Sequence, residues 1–345
     1  MTEFEESILA FLERNPASSS KDVFLGMGAP KGYATVKRCL TNLIELQYVS
    51  KDGVGKGTTY RLSESYAVTK PVDLDAYFTK DIDERIIQTS FNFSLIPETL
   101  TRVALFTEHE LQHLHALQKQ FEAKTRVLST NQYAKELERL AIDLSWKSSQ
   151  IEGNTYSLLE TESLLKDQLT AAGKTQHEAS MLLNHKAAID FIVAHPDYLF
   201  PLNVSAIEDI HSLLIKDLGI KKGIRNHKVG VTGTNYVPLD NDHQIKDALH
   251  HMCSLVNSKD NVFEKALLLL VLLSYIQAFD DGNKRTARIV SNACLIHYQY
   301  CPLSFRTVDP IEYKKAMLVF YEQNNISAFK NIFIDQFEFA VNTYF

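Results

Sequence analysis

From residue 108 to the C-terminus the sequence repeats one pattern, apolar residues at helical spacing separated by short polar breaks. Residues three and four apart lie on one face of a helix, so each such segment predicts a helix with one buried side. The pattern occupies residues 108–124, 131–150, 158–172, 176–194, 204–218, 244–256, 262–278, 284–298, 310–323 and 326–344. Consecutive helices of this kind predict a mostly α domain over residues 106–345.

The longest apolar run in this domain is ALLLLVLL, at residues 266–273. A membrane-spanning helix needs about 20 apolar residues, so the run predicts a helix buried in a protein core. The cysteines are scattered without metal-like spacing, and the acidic N-terminus MTEFEES lacks the pattern of a signal peptide. Together these features predict reduced thiols and a cytoplasmic, soluble protein.

The first 64 residues predict a separate small domain. Apolar spacing indicates helices near residues 4–12, 20–27 and 33–48, followed by two extended pieces around the Gly-rich turn in SKDGVGKGTTYRL. The order helix, helix, helix, β-hairpin resembles a winged helix-turn-helix domain. Residues 65–105 show no clean period and predict a connector, with a short strand or hook packed on the larger domain.

The small domain is basic although the whole chain carries a net charge of -6. Residues 31–61 contain six cations and two anions, a net charge of +4. The cations fall on the third helix and the hairpin, the elements that touch DNA in helix-turn-helix proteins. Lys37, Arg38 and Lys56 are therefore the predicted DNA-binding residues. The alternative is a winged helix used for protein contacts or dimerisation, because one fold serves many functions.

The stretch QAFDDGNKRTAR, residues 277–288, places a Gly-Asn turn between the apolar helix and a new helix. Unpaired N–H groups at a helix start, with Arg285 and Arg288 on one side of the first turns, predict a polyphosphate site. Asp281 is the natural carboxylate for a Mg²⁺ ion bridging phosphates. An ordinary capped helix would leave the Gly-Asn turn and the aligned arginines unexplained.

This stretch resembles the Fic family signature His-Pro-Phe-x-Asp/Glu-Gly-Asn-Gly/Lys-Arg-x-x-Arg. Seven positions match at fixed spacing, which is a specific signal; they are Phe279, Asp281, Gly282, Asn283, Lys284, Arg285 and Arg288. The resemblance implies a Fic-type helical domain that transfers AMP from ATP to a Ser, Thr or Tyr hydroxyl of a target protein. It implies that Asp281 binds Mg²⁺ and that the nucleotide-binding residues are Gly282, Asn283, Lys284, Arg285 and Arg288, with Arg288 on the γ-phosphate.

Two further segments resemble parts of the same family. Residues 228–239, KVGVTGTNYVPL, alternate and turn like a β-hairpin, and they resemble the flap that docks target segments. The predicted docking residues are Val231, Thr232, Gly233 and Tyr236. The segment SSQIEGN resembles the family's inhibitory motif, on a helix around residues 140–154. Its residues are Ser148, Glu152 and Gly153, with Glu152 occupying the Arg288 guanidinium that the γ-phosphate needs. IEGN is also typical of a helix end.

Gln277 stands where the family has its catalytic His, and Ala278 where it has Pro. An amide can orient a hydroxyl but cannot take its proton, so catalysis is expected to be weakened while ATP binding remains. His227, His243, His250 and His251 are the alternative bases near the flap and the next helix, although a surface histidine is more often inert than catalytic. Alternatives are a non-catalytic, nucleotide-responsive DNA-binding regulator and a homodimeric scaffold.

Overall fold

A computed structural model describes residues 1–28 and 31–345, and of Lys56 the backbone alone. Helices take up 63% of the chain and strands 4%, so the predicted mostly helical fold is confirmed. The helices are α1 (Glu3–Arg14), α2 (Ser20–Gly26), α3 (Tyr33–Glu45), α4 (Glu64–Thr69), α5 (Leu74–Phe78), α6 (Leu100–Arg102), α7 (Glu108–Val127), α8 (Thr130–Ile151), α9 (Leu158–Asp167), α10 (Gln176–Ala194), α11 (Val204–Leu214), α12 (Asp242–Ser258), α13 (Val262–Ile276), α14 (Asn283–His297), α15 (Pro310–Gln323) and α16 (Ser327–Thr343). The strands are β1 (Ser18–Ser19), β2 (Val49–Asp52) and β3 (Thr59–Leu62).

The N-terminal residues form three helices and a small antiparallel sheet of order β1-β3-β2. Residues 49–62 supply the predicted extended pieces, with Val49 opposite Leu62 in register. Ile8, Val23 and Leu43 are fully buried in a core separate from that of the larger domain. The assignment as a winged helix, and its boundary at residue 64, stay predictions.

The connector packs against the larger domain along most of its length. Val68, Phe91 and Leu95 are buried in the larger core. The backbone N–H of Ile326 donates to the Val68 carbonyl at 2.7 Å. Near Ser90 the connector makes one parallel bridge, to Val237. These contacts place the start of the connector on the C-terminal helices.

Helix α13 is the centre of the larger domain. Every residue from Phe263 to Ile276 except Glu264 is buried, as the apolar run predicts. Helices α12, α14, α15 and α16 pack around it, and α14 follows it back antiparallel after a six-residue loop, residues 277–282. Because α13 is held on all sides, the loop at its C-terminal end is fixed on a rigid support.

Helix ends differ from the predictions by a few residues where the backbone turns left-handed. Helix α9 stops at Asp167 because Gln168 has φ +56°, and α13 stops at Ile276 because Gln277 has φ +51°. Such a residue ends the helical hydrogen-bond pattern. Within the described residues, no helix has both the length and the apolar character that a bilayer crossing needs.

Candidate active site

The loop between α13 and α14 is closed from inside by Asn283. Its Oδ1 accepts from the Phe279 N–H at 2.9 Å, and its Nδ2 donates to the Phe279 carbonyl at 2.8 Å. Gly282 precedes α14 with φ +84°, a conformation that favours glycine. As far as the structure describes it, no side chain caps the start of α14. The first N–H groups of this helix are therefore available to an anion.

His211, from α11, supports the loop and was not predicted from the sequence. Its ring stacks on Phe279 with centroids 3.7 Å apart and planes 7° apart. Nε2 lies 2.9 Å from the Asp281 carbonyl oxygen. Burial lowers the pKa of His211 to about 4, so at neutral pH the ring is uncharged and donates through Nε2–H. This contact positions the turn that precedes α14.

Asp281 and Arg285 form an ion pair at 3.0 Å. The Asp281 side chain is 61% exposed, whereas that of Arg285 is buried beneath the loop. Among the described residues, nothing accepts a hydrogen bond from Arg285 Nε or Nη1. A buried guanidinium with unmet donors is a favourable environment for a nearby anion.

Arg288 is fully buried and held by the end of α8. Its Nε donates to Ser148 Oγ at 2.7 Å, and its Nη2 donates to the Ser148 carbonyl and to Glu152 Oε1, both at 3.0 Å. Lys284 Nζ lies 3.4 Å from Glu152 Oε2. Burial alone would raise the pKa of Glu152, but the charges of Arg288 and Lys284 lower it below the usual carboxyl value. Glu152 is therefore an ionised carboxylate between two cations.

The end of α8 combines both predicted features of SSQIEGN. Helix α8 stops at Ile151, and Gly153 has φ +97°, so the segment is a helix end as well as a partner of Arg288. Ser148 Oγ also lies 2.6 Å from His185 Nε2, on α10. Burial and then the nearby Arg288 hold the pKa of His185 well below its usual value, so the ring is neutral.

The side chain and the carbonyl of Gln277 are held by hydrogen bonds to neighbouring residues. Its Nε2 donates to the Ser274 carbonyl at 2.6 Å and lies 3.4 Å from the Tyr321 hydroxyl oxygen. Its Oε1 accepts from Asn283 Nδ2 at 3.2 Å. The Arg225 guanidinium donates to the Gln277 carbonyl at 2.6 Å. The amide therefore fills the position with hydrogen bonds and offers no base.

A cleft of about 470 Å³ opens above these residues. It brings together most of the predicted motif, the end of α8 and part of the flap; its predicted lining residues are Glu152, Gly153, Val231, Thr232, Gln277, Asp281, Gly282, Asn283 and Lys284. Ser148, Arg285 and Arg288 are buried and do not line it. Asp280, Lys314 and Tyr321 also line it and were not predicted as site residues.

The flap is not the predicted β-hairpin. Residues 228–239, all of which the structure describes, form no ladder of paired strands. The reason is that the second arm pairs with the connector: Val237 N–H donates to the Thr89 carbonyl at 3.0 Å, and Arg85 Nη2 donates to the Gly233 carbonyl at 2.9 Å. Tyr236 is buried and donates to the Tyr275 carbonyl, so the structure places it in the core and not on the flap surface.

The predicted DNA-binding residues lie on the N-terminal module. Lys37 and Arg38 are exposed on α3, and the side chain of Lys56 lies outside the described part of the chain. In the described residues, no group of three or more His, Cys, Asp or Glu side chains is arranged to hold a metal. A divalent cation at Asp281 would therefore take further ligands from a bound phosphate and water.

Comparisons with known proteins agree with this geometry. Residues 201–295, which hold His211, the flap and the motif, match the model of the Fic/DOC family. The protein adenylyltransferase Fic of Aedes aegypti is 29% identical over 59% of this chain and 42% of its own length. That of Nematostella vectensis is 26% identical over 49% and 40%. The chain thus spans about two fifths of the length of these curated relatives.

Solved structures show the same fold. Fic-1 from C. elegans superposes with a TM-score of 0.58 at 18% identity, over 68% of this chain and 72% of that one. A Fic domain containing signaling protein from Bacteroides thetaiotaomicron gives a TM-score of 0.57 at 18% identity, over 67% and 94%. Residues 201–295 of this chain therefore match the Fic/DOC family, and the helical domain shares the fold of these Fic structures.

Proposed function

We propose that this chain binds ATP in the cleft and transfers AMP to a side-chain hydroxyl of a target protein, and that Glu152 restrains this activity. The observation that carries the proposal is the buried Arg288, which is held by Glu152 at 3.0 Å beside the uncapped start of α14. The relatives named protein adenylyltransferase support the same reaction.

The phosphates of ATP fit the start of α14. Asn283 begins the uncapped helix with its backbone N–H, whereas the Gly282 N–H donates to Asp281 Oδ1 at 2.6 Å, and Lys284 lines the same wall. Arg285 has unmet donors beneath the loop. We assign the γ-phosphate to Arg288, because a buried guanidinium binds phosphate through charge-assisted hydrogen bonds.

Asp281 is the residue that would hold Mg²⁺. Its carboxylate is exposed beside the phosphate site, and one carboxylate plus phosphate oxygens is a usual ligand set for this ion. The ion, when bound, would neutralise charge on the phosphates. Arg285, at 3.0 Å, keeps the Asp281 carboxylate directed to this side of the loop.

Restraint by Glu152 follows from competition for one guanidinium. The Glu152 carboxylate occupies Arg288 Nη2, which the γ-phosphate needs. Ser148 holds the rest of the guanidinium from the same helix, and His185 holds Ser148. ATP can then enter fully only when the end of α8 moves or Glu152 turns away.

The target hydroxyl would attack the α-phosphorus from the side of the flap. Val231 and Thr232 belong to the flap and line the cleft, and we assign them to target docking. Gln277 cannot take the proton of the hydroxyl, and absence of a base lowers such rates by about 10² to 10⁴. The transfer is therefore expected to be slow.

The test is labelling with ATP that carries ³²P at the α-phosphate, in the presence of Mg²⁺, with the chain itself and a cell lysate as acceptors. Glu152→Gly is expected to label protein faster than the wild type. ATP labelled at the γ-phosphate is the control and is expected to leave no label, because pyrophosphate departs. Label from the γ-position, or none from the α-position with either chain, would contradict AMP transfer.

A second candidate is a nucleotide-responsive DNA-binding regulator. It is favoured by the basic face of the N-terminal module, where Lys37 and Arg38 are exposed on α3. A gel-shift at low salt, with and without ATP, tests it, and Lys37→Ala with Arg38→Ala is the matched variant. A homodimer and a cytoplasmic location stay predictions; light scattering of the purified chain tests the first.

A further inference from the structure

We propose that His227, oriented by Asp280, accepts the proton of the target hydroxyl in place of the missing base at position 277. This inference rests on the proposed AMP transfer and adds to it the residue that performs the proton step. Neither His227 nor Asp280 belongs to the seven matching motif positions.

The carboxylates that line the cleft are Glu152, Asp280 and Asp281. Glu152 pairs with Arg288 and Lys284, and Asp281 pairs with Arg285. In the part of the chain that the structure describes, Asp280 pairs with no Lys or Arg, and its partner is His227, with Nε2 3.6 Å from Oδ1.

Arg225 fixes the backbone of His227 relative to the motif. Arg225 donates through Nε to the Gln277 carbonyl and through Nη1 to the His227 carbonyl. The backbone N–H of Arg225 donates to the Ala278 carbonyl at 3.1 Å. One buried guanidinium therefore ties the backbone of His227 to the backbone of the residue that replaced the base.

Both side chains are accessible. The His227 side chain is 55% exposed and lies just before the flap, whereas that of Asp280 is 27% exposed and lines the cleft. The other candidate histidines, His243, His250 and His251, are exposed on α12. Over residues 1–28 and 31–345, none of these three forms an ion pair with the motif loop.

The chemistry needs one free imidazole nitrogen. With Nε2–H facing the Asp280 carboxylate, Nδ1 carries the lone pair that accepts the proton. The target oxygen forms a bond to the α-phosphorus, the bond from that phosphorus to the bridging oxygen breaks, and pyrophosphate leaves with the electron pair. The 3.6 Å separation exceeds a hydrogen bond, and such contacts commonly tighten when substrate binds.

The experiment measures α-³²P-ATP labelling and ATP affinity in a Glu152→Gly background. His227→Gln is expected to lower the labelling rate about 10²-fold with the ATP Kd unchanged. Asp280→Asn, which changes a positioning residue, is expected to lower the rate less, again without a change in Kd. His250→Gln is the matched control and is expected to label normally.

Two further variants separate the proton role from a structural one. His227→Gly is expected to recover rate when imidazole is added, which a merely structural histidine would not show. Gln277→His with His227→Gln is expected to label well. Unchanged labelling by His227→Gln would overturn the proposal.

These variants distinguish failure of the His227 proposal from failure of AMP transfer. If Glu152→Gly labels protein and adding His227→Gln leaves the rate unchanged, AMP transfer stands and the role of His227 is refuted. If neither Glu152→Gly nor Glu152→Gly with Gln277→His labels protein although ATP binds, the proposed function fails, and the inference fails with it.

Discussion

The two ends of the loop between α13 and α14 differ in a way that separates binding from chemistry. The end at residues 282–288 has the Gly-Asn turn, an uncapped helix start and two buried arginines, and all of these agree with the family signature. The end at residues 277–278 has lost both signature residues, and Gln277 is tied up in local hydrogen bonds. In the proposed function, phosphate binding is assigned to the first end, and the proton acceptor of the family signature would stand at the second. A chain can therefore keep one without the other.

The largest expected effect on the rate of AMP transfer is at residues 277–278, where the family signature is altered. Gln277→His, in a background that carries Glu152→Gly and His227→Gln, restores a titratable group and is expected to raise the AMP transfer rate by about 10² to 10⁴. The measurement is α-³²P-ATP labelling under single-turnover conditions, with the ATP Kd measured in parallel. A rise in affinity without a rise in rate would show that the two ends are not separable.

Arg288→Ala tests the end at residues 282–288, which keeps the family signature. Truncating a buried, hydrogen-bonded charge is expected to weaken ATP binding by about 2–5 kcal/mol, with loss of measurable binding at the upper limit. Calorimetry with ATP and Mg²⁺ measures it, and circular dichroism checks the fold. Arg306→Ala is the matched control, because Arg306 is a half-exposed arginine paired with Asp143. Normal ATP binding by Arg288→Ala would refute the γ-phosphate assignment.

His211, which supports the motif loop, predicts that the free energy of unfolding depends on pH. Burial holds the pKa of His211 at about 4, against 6.5 in the unfolded chain, so between these values only the unfolded chain binds the proton. Stability is therefore expected to fall as pH drops from 6.5 to 4, with His211 contributing about 3 kcal/mol of that loss.

His211→Asn is expected to flatten this pH profile in part, since His185 is buried in the same way. Urea unfolding at pH 7, 5.5 and 4.5 provides the measurement, and the exposed His250→Asn serves as the control. A profile for His211→Asn that parallels the wild type would contradict the neutral, buried state of this ring.

The smallest expected effect is that of Lys284→Ala. The lysine lines the cleft and also lies 3.4 Å from Glu152, so its removal takes a positive charge away both from the proposed phosphate site and from Glu152. These two losses act on ATP binding in opposite directions, so the net change is small. ATP affinity is expected to change less than fivefold in the wild type and to fall more in Glu152→Gly. The comparison of the two backgrounds by calorimetry checks this.

Local spacing predicted the parts of the molecule that depend on neighbours in sequence. The helices, the turn at residues 280–283 and the position of Glu152 at a helix end all follow from short-range patterns. The Glu152–Arg288 pair joins residues far apart in the chain, and it was predicted only because the family resemblance related the two segments.

The parts that were missed depend on contacts between distant segments. His211 and Arg225 hold the motif loop from 70 and 52 positions away, and nothing in their local sequence marks them as partners of Asp281 and Gln277. The flap was misread for the same reason, since its alternating pattern serves a bridge to Ser90 and not a hairpin. The role of a surface histidine such as His227 can be inferred only from the residues that lie near it in space.

The measurement that tests the central claim most directly is the affinity of the wild type and Glu152→Gly for ATP and Mg²⁺, by calorimetry. A charge-assisted hydrogen bond to a buried arginine contributes about 1.5–3 kcal/mol, so its removal is expected to tighten ATP binding by about 10- to 100-fold. Equal affinities, or weaker binding by Glu152→Gly, would contradict an ATP site restrained by Glu152.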